Sequence, residues 1–165
     1  MDLSVVIPIY NSAAMLEELL ARLTEVLAPL VPRYELILVD DGSKDESWEV
    51  TSSLSERYGT LVTVQLMRNY GQHNALMCGL AMAKGNFIVT MDDDLQNPPE
   101  EIPKMLARIQ QGGLDLVYGC PDTRSHAAWR NLGSAVVWRF YKKIFRNPVT
   151  PTPFRVMRHQ LVRSV

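Results

Sequence analysis

An α/β fold, a mostly parallel sheet flanked by helices, is predicted by three features of this 165-residue sequence. Five short runs rich in Val, Ile and Leu recur between residues 3 and 120; segments with helical spacing of apolar residues separate them; acidic turns close the second and fourth runs. Continuous apolar runs of this length suit strands covered on both faces, and strand–helix alternation implies parallel neighbours joined by right-handed crossovers. An apolar share of 47% is sufficient for the core of one domain.

The first strand is read in "LSVVIPIY" (3–10), and Leu16, Leu19, Leu20, Leu23, Val26 and Leu27 then form the stripe of an amphipathic helix. "YELILVD" (34–40) gives the second strand, and "SKDE" reads as a Ser-x-x-Glu capping box, Ser43 to Glu46, opening the next helix. "LVTVQLM" (61–67) is the third strand, with Arg68 at its end and a helix starting at Gly71 and Gln72. "NFIVTMD" (86–92) is the fourth; Asn97, Pro98 and Glu100 mark the helix start after it, and "LDLVYGC" (114–120) is the fifth.

Charge divides the chain. All 18 acids lie in residues 1–122, beside 8 Lys and Arg, whereas residues 123–165 carry 9 Lys and Arg and no acid. A boundary at 122/123 is therefore expected, with a basic segment that meets phosphate or an anionic surface. Within it, "RSHAAWRNLGSAVVWRFYKKIFR" (124–146) combines cations with Trp, Tyr and Phe, a composition suited to an amphipathic helix at a membrane surface. No single-strand-binding signature accompanies it, so no nucleic-acid partner is expected. "LGSAVVW", the longest uncharged apolar stretch near the C-terminus, is far shorter than the roughly 20 residues that cross a bilayer, and no signal peptide opens the chain. A cytoplasmic setting is expected. Cys78 and Cys120 lack metal-ligand spacing and read as reduced structural thiols.

The chemistry concentrates in "IVTMDDDLQNPP" (88–99). Three adjacent carboxylates repel one another, and at the end of a buried strand they need a cation or hydrogen-bond donors. In an extended segment Asp92 and Asp94 face together while Asp93 turns aside. Such a pair suits a magnesium-type ion that completes its shell with water and phosphate oxygens. An EF-hand fails, because its required Gly and Glu positions hold Asn97 and Pro103. An aspartyl phosphatase is a stronger rival, but Gln96 stands where that superfamily has Thr or Val. Neither a phosphate-binding P-loop nor a dinucleotide-loop glycine pattern occurs. The second acidic group, "VDDGSKD" (39–45), contains turn and cap residues, which leave Asp40 and Asp41 to be explained. Convergence of the strand ends in a doubly wound sheet places them near Pro8, Tyr10, Asn11 and the Asp92–Asp94 pair, where carboxylates accept base N–H groups or ribose hydroxyls.

"VVIPIYN", "LVDDGSKD", "RNYGQHNALMCGL" and "VTMDDDLQNPPEEIPKML" together resemble the successive motifs of family 2 inverting glycosyltransferases of the GT-A fold, specifically the polyprenyl-phosphate, dolichol-phosphate mannose synthase-like branch. The resemblance implies a Rossmann-like nucleotide-sugar-binding core at 1–122 and an acceptor- or membrane-facing segment at 123–165. It implies Asp92 and Asp94 as catalytic metal ligands for Mg2+ or Mn2+; Pro8, Tyr10 and Asn11 in the nucleotide pocket; Asp40 and Asp41 on base and ribose; and Asp93 and Gln96 at the donor sugar or diphosphate. Arg68, Gly71 and Gln72 would face the donor, the helix start offering free N–H groups, while Arg124 and Arg130 would grip donor diphosphate or acceptor phosphate, with Arg130 catalytic. The expected donor is a UDP- or GDP-sugar and the acceptor undecaprenyl or dolichyl phosphate. The expected place is the inner face of the cell membrane, peripheral or tethered, with homo-oligomers left open.

The sequence departs from the family at "TPTPFRVM", where Pro153 takes the place of an acid before Phe-Arg. Loss of a general base hinders a hydroxyl acceptor but not a phosphate, whose second pKa of about 6 leaves it largely anionic at neutral pH. The same change, with relatives continuing beyond this region and a truncated chain therefore expected, leaves a non-catalytic nucleotide-sugar-binding or membrane-adapter domain as the alternative.

Overall fold

The computed structural model describes residues 1–120 and 152–164. The chain divides into two units, Met1–Gly119 with Pro153–Val165, and Cys120–Thr152. The expected helix at 124–146, with Arg124 and Arg130, lies outside the described residues.

In chain order the elements are β1 (Leu3–Ile9), α1 (Ala13–Leu27), β2 (Tyr34–Asp40), α2 (Ser47–Arg57), β3 (Leu61–Gln65), α3 (Gln72–Met82) and β4 (Phe87–Thr90). A 3-10 turn (Pro99–Glu101) then runs into α4 (Ile102–Gln110), followed by β5 (Leu116–Tyr118), β6 (Arg155–Arg158) and α5 (His159–Arg163). One six-stranded sheet results, ordered β3-β2-β1-β4-β6-β5. β1 lies between β2 and β4 and is parallel to both, and β3 extends the parallel set beyond β2.

The apolar runs form strands because both faces are covered. β1 is buried along its whole length, and β2 at every position but Tyr34. Side-chain alternation divides the core. Leu3, Val5, Ile7, Leu36 and Leu38 pack in one cluster with Leu16, Leu19 and Leu20 of α1 and Ile102 and Leu106 of α4. Val6, Ile37, Val39 and Ile88 pack in the other with Ala75, Leu76 and Leu80 of α3. Each fully buried Leu or Ile contributes about 1.5–3 kcal/mol. α3 sits close on the sheet because Gly79 has no side chain: a Cβ there would lie 2.4 Å from Val6 Cγ1.

The expected boundary at 122/123 is corrected by β6, which places residues of the basic segment inside the core sheet. β6 is antiparallel to both neighbours, pairing Thr90 with Arg155 and Val117 with Val156. Its sequence, Arg-Val-Met-Arg, hides a strand because charged ends flank apolar centres. Val156 joins the first core cluster and Met157 the second. Arg158 is accommodated by its donors, which reach Leu114 O and Ile109 O, each at 3.1 Å. The third, fourth and fifth strands end earlier than expected, at Gln65, Thr90 and Tyr118.

The capping-box reading of Ser43 to Glu46 is also corrected. α2 begins at Ser47 with no side-chain cap, and the Ser43 hydroxyl donates to Asp40 Oδ1 instead. The Ser43 oxygen meanwhile accepts the Asn11 N–H at 3.0 Å, so its acceptor is used between loops rather than at the helix start.

Candidate functional site

A cleft of about 330 Å3 opens at the carboxyl ends of β1, β2 and β4. It is lined by Pro8, Ile9, Tyr10, Asp41, Asn69, Gln72, Asp92, Asp93 and Asp94. Parallel register brings them together: Ile9 lies opposite Asp40, Val6 lies opposite Thr90, and Met91 N–H continues the β1 pairing by donating to Val6 O at 3.3 Å.

The two acidic groups are held very differently. Asp41, only 2% exposed, accepts Tyr70 N–H at 2.7 Å and Gly71 N–H at 2.8 Å, one on each carboxylate oxygen. The expected free N–H of Gly71 is therefore committed, and its helix start already has an anion beside it. Gly42 lets the two loops approach so closely. It has φ +68°, and a Cβ would lie 2.6 Å from the Arg68 carbonyl carbon. Asp40 is fully buried; its Oδ1 accepts Ser43 N–H at 3.1 Å as well as the Ser43 hydroxyl. It does not line the cleft.

Asn11, expected in the nucleotide pocket, belongs to a bracket between the loops after β1 and β2. Its N–H donates to Ser43 Oγ at 3.0 Å and its side-chain oxygen accepts Lys44 N–H at 2.8 Å. Ala13 N–H reaches Asp45 Oδ2 at 3.2 Å, Ser12 N–H reaches Ser47 Oγ at 2.8 Å, and the Ser47 hydroxyl donates to Asp45 Oδ1 at 2.5 Å. Burial alone would raise the Asp45 pKa, but these donors hold it below the usual aspartate value.

Each of the three consecutive acids takes a separate partner. Gln72 Nε2 donates to Asp92 Oδ1 at 2.5 Å, the Ser12 hydroxyl donates to Asp93 Oδ2, and Gln96 N–H donates to Asp94 Oδ1 at 3.1 Å. All three residues belong to the cleft lining. The turn that follows places Leu95 at φ +56°, left-handed backbone uncommon outside glycine. Burial raises the Asp92 pKa, the charges of Asp94 and Asp93 raise it further, and Gln72 offsets them only in part. Arg68 stacks over Tyr70, 4.9 Å from guanidinium carbon to ring centre. Arg68, Gly71 and Gln96 stand outside the cleft lining, with Asn11 and Asp40.

Among the described residues no group of three or more His, Cys, Asp or Glu converges to hold a metal ion. Asp92 and Asp94 fit a hard divalent cation nonetheless, because two oxygen donors with uncompensated charge need substrate phosphate oxygens and water to complete a shell. Sequence reasoning missed Ile9, Asn69 and Ser12. Asn69 lies in the quoted "RNYGQ" run, and Ser12 holds the position before α1, the only signals they give.

The sequence profile of Glycosyl transferase family 2 matches residues 4–164. Undecaprenyl-phosphate 4-deoxy-4-formamido-L-arabinose transferase of Pseudomonas paraeruginosa (strain DSM 24068 / PA7) is 47% identical over 135 residues, 81% of this chain and 40% of that one. The protein of the same name in Enterobacter sp. (strain 638) is 46% identical over 137 residues, 82% of this chain and 42% of that one. This chain thus spans under half the length of these relatives. Among solved structures, a mannosyltransferase of Pyrobaculum calidifontis in complex with GDP-Man and Mn2+ superposes with a TM-score of 0.75 over 98% of this chain and 46% of that one, at 20% identity. S. aureus TarS 1-349 superposes with a TM-score of 0.72 over 99% of this chain and 49% of that one, at 22% identity. Both are glycosyltransferase-type α/β folds, and the likeness establishes the GT-A architecture expected from the motifs.

Proposed function

Because the chain belongs to glycosyl transferase family 2, we propose that it moves a sugar from a nucleotide-diphosphate donor to a polyprenyl phosphate, with inversion. The observation that carries this reading is the run Asp92–Asp94 in the lining of the strand-end cleft, where burial and the charges of Asp94 and Asp93 raise the Asp92 pKa. The relatives named as undecaprenyl-phosphate transferases support undecaprenyl phosphate as the acceptor, and the neighbour solved with GDP-Man and Mn2+ supports a divalent ion. Mg2+ or Mn2+ would be held by Asp92 and Asp94, and when bound supplies positive charge that offsets the departing diphosphate.

The chain's own residues do the rest by positioning. Pro8, Ile9 and Tyr10 line the cleft, and Asp41 holds the adjoining loop through Tyr70 and Gly71, which would fix Asn69 and Gln72 for the nucleotide. Gln72 orients the Asp92 carboxylate. At the position where relatives carry an acid, the Pro153 carbonyl accepts the Thr90 hydroxyl at 2.6 Å, and Arg155 Nε donates to the same Thr90 oxygen at 3.1 Å. A phosphate acceptor suits such a site, since it arrives already deprotonated. Arg124 and Arg130 remain proposed phosphate grips, and the 124–146 stretch a proposed contact with the inner membrane face. No helix among the described residues is long and apolar enough to cross a membrane.

Incubation with radiolabelled UDP- and GDP-sugars, Mn2+ and undecaprenyl phosphate tests the proposal. Label moving into the organic phase is the expected result. The second reading, a binding domain without turnover, is favoured by Pro153; tight donor binding with no label transferred by the full-length protein establishes it and removes the transferase.

A further inference from the structure

The acidic run carries three carboxylates, while the proposed metal site uses two; we propose that Ser12 is the positioning residue that divides the run. This rests on the metal-dependent donor binding proposed above. Ser12 occupies the N-cap position of α1, where a Ser hydroxyl ordinarily accepts a hydrogen bond from the first helical turn. Here it makes no capping bond. The task passes to a neighbouring loop: Asp45 accepts Ala13 N–H, and Ser47 accepts the Ser12 N–H. The Ser12 hydroxyl is thereby released to donate across 81 positions of sequence to Asp93 Oδ2, with Tyr10 O at 3.2 Å as its weaker acceptor.

That bond ties the middle acid to α1 and keeps one Asp93 oxygen from the ion. Asp92 and Asp94, which take partners only through Gln72 and the Gln96 backbone, are left as the pair. A second tie fixes the far end of the loop to the same helix. Arg22 of α1 forms a two-pronged pair with Glu100, at 2.9 and 2.7 Å. Between these anchors the chain makes its left-handed turn at Leu95, so the loop's shape is set by α1 at both ends. Without the Ser12 hydroxyl the acidic run loses this anchor to α1, and Asp92 and Asp94 are no longer held as a pair for the cation.

Calorimetric titration of UDP and of GDP, in Mn2+ and in chelator, separates this role from general structural support. In Ser12→Ala the metal-dependent gain in nucleotide affinity should fall by about tenfold, the loss of one charge-assisted hydrogen bond. Affinity in chelator and the melting temperature should hold, and Ser12→Thr should restore the gain. Asp93→Ala should cost as much as Ser12→Ala, and the double variant no more than either. A full metal-dependent gain in Ser12→Ala, or additive losses in the double variant, overturns the positioning role while leaving the transferase reading intact. Absence of any metal-dependent gain in the unsubstituted protein overturns both.

Discussion

Asp40–Asp41 and Asp92–Asp94 both stand at the carboxyl end of a buried parallel strand, yet the protein treats them oppositely. The first pair is buried and held from within: Ser43 serves Asp40 Oδ1, whose Oδ2 is buried without a partner, and Tyr70 and Gly71 serve both oxygens of Asp41. The second group opens on the cleft with one donor apiece, and Asp92 has a raised pKa. Asp41 is thus a structural clamp closed by two backbone donors, whereas the Asp92–Asp94 group, with one donor apiece, is the proposed cation site. The two groups should fail differently when altered.

The largest effect is expected at the clamp. Asp41→Ala strands two backbone N–H groups and should destabilise the fold by about 3–5 kcal/mol, read as a lowered midpoint in urea. Gly42→Ala should cost at least about 2 kcal/mol, because left-handed backbone alone costs about 1–2 kcal/mol and the added Cβ meets the backbone of Arg68. If either variant melts like the parent, the clamp description is wrong.

At the open group the expected loss is functional. Asp92→Asn keeps the oxygen that Gln72 binds, removes a repelled charge, and should stabilise the metal-free protein by roughly 0.5 kcal/mol after solvent screening. That gain should depend on pH. A carboxyl whose pKa is raised on folding binds more protons in the folded state, so its unfavourable contribution is absent below the ordinary value of 3.8 and grows as pH rises through the folded pKa. Melting scans from about pH 4 to neutrality should therefore show Asp92→Asn and the parent diverging upward. A constant difference contradicts the assignment of burial and like charge as the cause.

The smallest effect lies at the Arg22–Glu100 pair, whose carboxylate is half exposed. Arg22 lowers the Glu100 pKa, so the pair's stabilisation is present above the ordinary glutamate value and is lost as pH falls through the depressed one. Glu100→Gln should cost about 0.5 kcal/mol at neutral pH and nothing in strong acid.

Much of this arrangement was legible in the sequence, for physical reasons. β1 and β2 announce themselves because strands covered on both faces must be apolar throughout, and the acidic run identifies itself because its cost demands a use. β6 was not legible, since Arg155 and Arg158 mask two core residues and its partners lie over 60 positions away in β4. Hydrogen-bonding roles were read locally and so misassigned. Ser43 looked like a helix cap and Gly71 like a free donor, but their partners come from Asp40 and Asp41. Only the assembled loops reveal which donors are already spent.

Calorimetric titration of Asp92→Ala with Asp94→Ala against the parent, using UDP and GDP with and without Mn2+, tests the role of the open acids most directly. The parent should bind one of the nucleotides more tightly in Mn2+ by tenfold or more, on the order of 1.4 kcal/mol, and the double variant should bind it equally with and without the ion. Metal-dependent binding that survives in the double variant would contradict the account.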